Sequence, residues 1–237
     1  MVDLTREMAD LMAALGRPQS PRGRVLMFVS ALGGEGASTV AREFARCEAA
    51  FARKPVWLVD ADLKRQSQMV ELGQDPARFG PPGALTQATP DGSMFFEIRP
   101  RARGSDGQPV PDDKYLVARP FLAQKLWVTR FRQQNLAPGQ RVRMLDRGSY
   151  WGALRKHAQT VVVDVPAADR SAAALQLAPL MDGVIMVVSE DEGEVQARVD
   201  LKNGIERAGG RLLGMVYNRA RDAGRGPLRR MSRHAAL

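Results

Sequence analysis

The stretch Ala31-Leu-Gly-Gly-Glu-Gly-Ala-Ser-Thr39 follows the apolar run of residues 25–29 and precedes a helical pattern over about residues 38–52. A glycine-rich turn therefore sits where a strand gives way to a helix. Gly33, Gly34 and Gly36 let the backbone curl until successive N–H groups point inward. The helix N-terminus adds partial positive charge, and the two together make a cradle for phosphate. Ser38 supplies a hydroxyl suited to Mg2+. A lysine directly after the last glycine would complete such a loop, but that position is Ala37. A methyl cannot replace an ammonium, and losing one charge-assisted contact costs about 1.5–3 kcal/mol, roughly ten- to a hundredfold in affinity. The expectation is weak binding with slow or absent phosphoryl transfer. The competing reading is a glycine-rich turn that holds no ligand.

Acidic residues recur where such a site would need them. Asp60 and Asp62 follow the apolar run of residues 56–59, and Asp164 follows residues 161–163. The carboxyl ends of buried strands are where ligand sites of α/β sheets collect. Any one of these aspartates alone is as readily a helix cap or turn former. All three in this order point to one site.

The elements that must position them alternate. Strand-like runs at residues 25–29, 56–59, 161–163, 184–188 and 212–216 are apolar throughout, and helical patterns over about 38–52, 171–181 and 192–208 separate several of them. Strands apolar on both faces imply a mainly parallel sheet covered by helices on each side, a doubly wound α/β fold. A first amphipathic helix is expected over residues 1–15, from Leu4, Met8, Leu11, Met12 and Leu15. Between residues 67 and 149, Gly and Pro clusters interrupt every period, so an irregular basic insertion is expected there. Within it residues 125–129 suit a strand, and residues 150–157 just beyond it suit a short helix. The reading is one domain over residues 1–219 and an arginine-rich tail over 220–237.

Taken together, the loop, the segment Val59-Asp-Ala-Asp-Leu-Lys-Arg65 and the segment Val162-Val-Asp-Val-Pro166 resemble bacterial tyrosine kinases of capsule and exopolysaccharide synthesis. These belong with the MinD and ParA-like P-loop ATPases, whose Walker motifs deviate from the common pattern. Leu180-Met-Asp-Gly-Val-Ile-Met-Val-Val188 and Gly209-Gly-Arg-Leu-Leu-Gly-Met-Val-Tyr-Asn-Arg219 add to the likeness, which covers about residues 20–66 and 157–219. The resemblance implies that Gly33, Gly34, Glu35, Gly36, Ala37, Ser38 and Thr39 form the phosphate loop. It implies that Asp60 and Asp62 are paired carboxylates near Mg2+ and the nucleophile, Asp164 the Walker B carboxylate, and Asn218 an adenine contact. Ser38, Asp60 and Asp164 would serve the metal, with ATP or ADP and Mg2+ as cofactors. Two departures bear on activity. Ala37 replaces the lysine, and tyrosines occur only at 115, 150 and 217, so the tail lacks the tyrosine cluster that these kinases phosphorylate.

Charge is distributed in two zones. Residues 99–156 carry thirteen Lys or Arg against four Asp, and residues 219–237 carry six Arg against one Asp, within a net charge of +9. Such zones favour anionic partners, an anionic membrane surface among them. Trp127, Phe131, Tyr150 and Trp151, interleaved with arginines, suit either a docking face for an acidic partner or an ordinary solvated surface. One cysteine, Cys47, excludes an internal disulfide and is expected as a small core residue on a helix. No apolar run approaches the roughly 20 residues of a membrane span, and the charged start carries no secretory pattern. A cytoplasmic protein is expected, held at the inner membrane through a membrane chain-length or polysaccharide export protein; a homo-oligomer stays open.

Three functions compete: a kinase-like regulator or scaffold of exopolysaccharide export with weak or no kinase activity; an active Mg-ATP-dependent kinase or ATPase with a substitute cation such as Lys64, Arg65 or a partner's residue; and a ParA- or MinD-like positioning ATPase. The last is disfavoured because Leu32 stands where that group carries an early lysine. Nucleic acid is accordingly not an expected partner.

Overall fold

The computed structural model describes residues 4–16, 22–101, 104, 107, 108, 110–190 and 194–219, so the arginine-rich tail lies outside the described residues. In chain order the strands are β1 (Arg24–Ser30), β2 (Val56–Asp60), β3 (Thr86–Gln87), β4 (Phe96–Arg99), β5 (Leu116–Phe121), β6 (Leu126–Phe131), β7 (Arg141–Met144), β8 (Thr160–Asp164), β9 (Gly183–Ser189) and β10 (Leu212–Asn218). The helices are α1 (Thr5–Leu15), α2 (Ala37–Phe51), α3 (Gln68–Gln74), α4 (Pro76–Phe79), α5 (Ser149–His157), α6 (Ala173–Leu177) and α7 (Val195–Arg207).

Eight strands form one sheet in the order β10-β9-β1-β8-β2-β6-β5-β3. From β10 to β6 the neighbours run parallel, and β5 and β3 continue antiparallel at one edge. The inner strands β1, β2, β8 and β9 are largely apolar because both faces are covered, whereas β10 at the edge is half-exposed. On β1, Val25, Met27 and Val29 enter the core beneath α5, α6 and α7, while Leu26 and Phe28 meet Met8 of α1, Phe44 of α2 and Met69 of α3. β4 and β7 pair as a separate antiparallel ribbon.

Residues 67–149 are more ordered than their Gly and Pro content suggests: they contribute α3, α4 and the five strands β3 to β7. The aromatic residues of this stretch and of α5 pack inward. Phe131, Tyr150 and Trp151 are buried, Phe95 lies 5.0 Å from the Tyr150 ring and 5.4 Å from that of Trp151, and Trp127 stacks on Trp57 at 5.6 Å. The aromatic docking face is therefore corrected: these rings form core, because burying an aromatic side chain stabilises far more than displaying it. The helix expected over residues 171–181 is only α6, followed by a 3-10 turn at Ala178–Leu180 in which Pro179 sits. Cys47 is buried on α2. Among the described residues no helix is long and apolar enough to cross a membrane.

The chain leaves β1 for β2, returns to place β8 between them, and then crosses β1 to β9. Such a reversal opens a crevice at the carboxyl ends of the strands. Ser30, Asp60 and Asp164 are the last residues of β1, β2 and β8, so the topology gathers them at that end.

Candidate functional site

The loop after β1 curls through two left-handed glycines, Gly34 at φ +96° and Gly36 at φ +90°. Gly36 has a second reason to lack a side chain: a Cβ there would lie 2.0 Å from Nδ2 of Asn218. That amide donates to the Glu35 carbonyl at 2.9 Å, so Asn218 holds the loop from the end of β10. Ala37 opens α2 with its methyl buried, Ser38 follows, and Thr39 is exposed.

Glu35 acts differently from its neighbours. Its carboxylate is wholly buried and accepts from the N–H groups of Leu32 at 3.0 Å and Ser189 at 3.3 Å. Arg198 of α7 donates to it at 2.9 Å and to the Ser189 carbonyl at 2.7 Å. The side chain expected to line a phosphate cradle instead pins the loop to β9 and α7; what it can offer an anion is backbone. The Gly33 N–H donates to Asp169 Oδ2 at 3.0 Å, and a Cβ on Gly33 would lie 3.4 Å from Nε of Arg170. A guanidinium thus stands at the loop's rim.

Asp60 and Asp164 are register partners on β2 and β8, both buried. Asp164 accepts from the Ser38 hydroxyl at 3.1 Å and from Nε2 of Gln68 at 2.6 Å. Gln68 also donates to the Ser38 carbonyl at 2.9 Å and accepts from Arg42 at 3.4 Å. Asp60 accepts from the N–H groups of Gln68 at 3.0 Å and Asp62 at 3.2 Å. Burial pushes the Asp164 carboxyl up to about 6, against hydrogen bonds from Gln68 and Ser38 that oppose the rise. Burial also raises Asp60 well above the ordinary carboxylate value, and the charges of Asp164 and then Asp62 add to the rise. Asp62 accepts from the N–H groups of Lys64 at 3.2 Å and Arg65 at 3.1 Å, the turn-forming alternative made real.

The structure therefore brings Ser38, Asp60, Asp62 and Asp164 to one end of the sheet beside the loop. It also shows partners the sequence does not advertise. Gln66 ties the Asp62 carbonyl at 2.7 Å and accepts from the Phe131 N–H, and Thr129 of β6 accepts from the Asp60 N–H at 3.1 Å. Gln68, Asp169, Arg170 and Arg198 complete the set. Their roles come from contacts spanning up to 163 residues of chain, and no local motif marks them.

The donors suit Mg2+, which takes one or two hard protein oxygens and fills the rest of its octahedron with phosphate oxygens and water. The Ser38 hydroxyl and an Asp164 carboxylate oxygen are such a pair, and two buried carboxyls side by side favour a divalent cation. Gln68 would have to release one bond to admit it. Ala37 leaves the loop without the cation that would grip the outer phosphates; Lys64 and Arg65 are exposed, and Arg170 is the guanidinium beside Gly33.

No family model matches the sequence, and no curated protein matches it. Among solved structures the chain is similar to the kinase domain of Escherichia coli tyrosine kinase ETK, with TM-score 0.57 and 17% identity over 94% of this chain and 78% of that one. The VpsO kinase domain matches with TM-score 0.56 and 18% identity over 93% of this chain and 100% of that one. Cobyrinic acid a,c-diamide synthase from Mycobacterium smegmatis, solved with a bound ATP analogue and magnesium, matches with TM-score 0.53 and 15% identity over 82% and 74%. The chain has the doubly wound P-loop NTPase fold, in the form seen in bacterial tyrosine kinase domains.

Proposed function

We propose that this protein is a kinase-like regulator or scaffold of exopolysaccharide synthesis and export, one that binds Mg-nucleotide weakly and transfers phosphate slowly or not at all. The observation that carries this reading is a phosphate loop with Ser38, Asp60 and Asp164 gathered beside it and a buried methyl, Ala37, at the position of the gripping cation. The tyrosines fit the same reading: Tyr115 and Tyr150 are buried, and Tyr217 alone of the three is exposed. Mg-nucleotide held at an interface shifts assembly through its differential affinity for two states, with no need of hydrolysis. Its partner would be a membrane chain-length or export protein that holds it at the inner membrane, with self-association of the chain a further step.

The test has two arms. Purified protein should show no Mg-dependent ATP turnover beyond that of Asp60→Ala, and deleting its gene should alter the amount or chain length of surface polysaccharide. Unaltered polysaccharide in the deletion strain sinks the regulatory reading.

A second reading has one observation in its favour. Arg170 stands beside Gly33 and could supply the charge that Ala37 lacks, which would make the chain an active ATPase or kinase. Turnover abolished by both Asp60→Ala and Arg170→Gln would establish it.

A further inference from the structure

On the face of the sheet that carries α2 and α3, three arginines enter one cleft: Arg119 from β5, Arg130 from β6, and Arg132 just beyond its end. The placement follows from strand alternation. Val128 and Arg130 share a face of β6, Val117 and Arg119 share a face of β5, and the register sets Val117 opposite Arg130 and Arg119 opposite Val128. The two guanidinium groups are therefore diagonal neighbours. The cleft spans about 410 Å³ and is also lined by Met69 and Val70 of α3, Gln134 and Asn135, with no Asp or Glu among the described residues that line it.

The donors here are unspent. Nε of Arg119 and Nε of Arg130 are buried, and neither has a hydrogen-bond partner among the described residues. The three arginines are half-buried, but a buried donor such as each Nε is normally satisfied. Three positive groups lining one cleft also repel one another. An anion would remove both penalties at once.

We propose that this cleft binds the phosphoryl group of a small soluble phosphorylated ligand, at a site separate from the phosphate loop. Guanidinium forks match two oxygens of a phosphate, and three charges suit a dianion better than a single carboxylate. The volume lies within the range of about 300–1,000 Å³ for small-molecule sites. Met69 and Val70 would take an apolar or ring face of the ligand, and the two amides would meet its hydroxyls. The cleft is also joined to the carboxylate pair: the Phe131 N–H, between Arg130 and Arg132, donates to Gln66, which donates to the Asp60 carbonyl at 3.2 Å.

The test is calorimetric titration with inorganic pyrophosphate in chelator-treated, Mg-free buffer. Wild type should bind. Arg119→Gln and Arg130→Gln should each weaken binding by about ten- to a hundredfold, while melting at or above the wild-type temperature because repulsion and orphaned donors are removed. Thr39→Glu, which places a negative charge at the exposed end of the phosphate loop, should bind as wild type does. Binding lost in Thr39→Glu but kept in both arginine variants would assign the phosphate to the loop and overturn the proposal, as would the absence of pyrophosphate binding. Two further outcomes overturn it: hexaglutamate binding more tightly than pyrophosphate, which would indicate an acidic protein partner, and arginine-dependent binding to phosphatidic acid vesicles that pyrophosphate does not displace, which would indicate a membrane.

Discussion

Asp164 carries a cost when no cation is present, and that cost has a sign. Burial lifts its carboxyl from 3.8 to about 6, so the folded chain holds this proton over a range where the unfolded chain releases it. The stability associated with the neutral form is fully present below 3.8 and is lost as pH rises to about 6. Asp164→Asn, which has no proton to lose, should gain stability relative to wild type by about 2 kcal/mol between pH 4 and pH 6 in metal-free buffer. Chemical denaturation at each pH checks it, and a pH-independent difference would contradict the burial argument. Gln68 is the counterweight, since its amide donates to both Asp164 and the Ser38 carbonyl. Gln68→Leu should cost about 1–3 kcal/mol under the same conditions, measured by the same denaturation.

At the level of elements, the loop is held from outside itself. Glu35 ties it to β9 through Ser189 and to α7 through Arg198, and Asn218 ties it to β10. Arg198→Met would leave a buried carboxylate unpaired and should destabilise the fold by about 3–5 kcal/mol. Glu35→Gln combined with Arg198→Met should recover much of that loss, and equal destabilisation in the single and double variants would contradict the pairing. The inner parallel strands β1, β2, β8 and β9 are legible in the sequence because burial on both faces makes each a nearly unbroken apolar run. β5 and β6 are harder to read, because Arg119 and Arg130 interrupt the apolar pattern, and the reason lies in the cleft they line. The loop and the three aspartates are legible because a glycine turn and acidic strand ends announce themselves locally. The inward role of Glu35 is not, because it depends on Ser189 and Arg198, which are distant in the chain.

At the scale of the whole molecule, a doubly wound sheet carries a glycine-rich loop in which Ala37 follows the last glycine. The sheet order brings Ser38, Asp60 and Asp164 to one crevice, and the fold is that of bacterial tyrosine kinase domains. The basic stretch of residues 99–156 is not a uniform surface, since three of its arginines share one cleft. The proposed function turns on one side chain at the start of α2, Ala37. Removing Mg2+ should therefore abolish what nucleotide binding there is, because Asp164 and Asp60 would otherwise face the phosphates as bare carboxylates. Calorimetry with Mg-ATP on wild type and on Ala37→Lys is the most direct test. Wild type should bind weakly, and Ala37→Lys should bind about ten- to a hundredfold more tightly. Equal affinities in the two proteins, whether tight or absent, would contradict it.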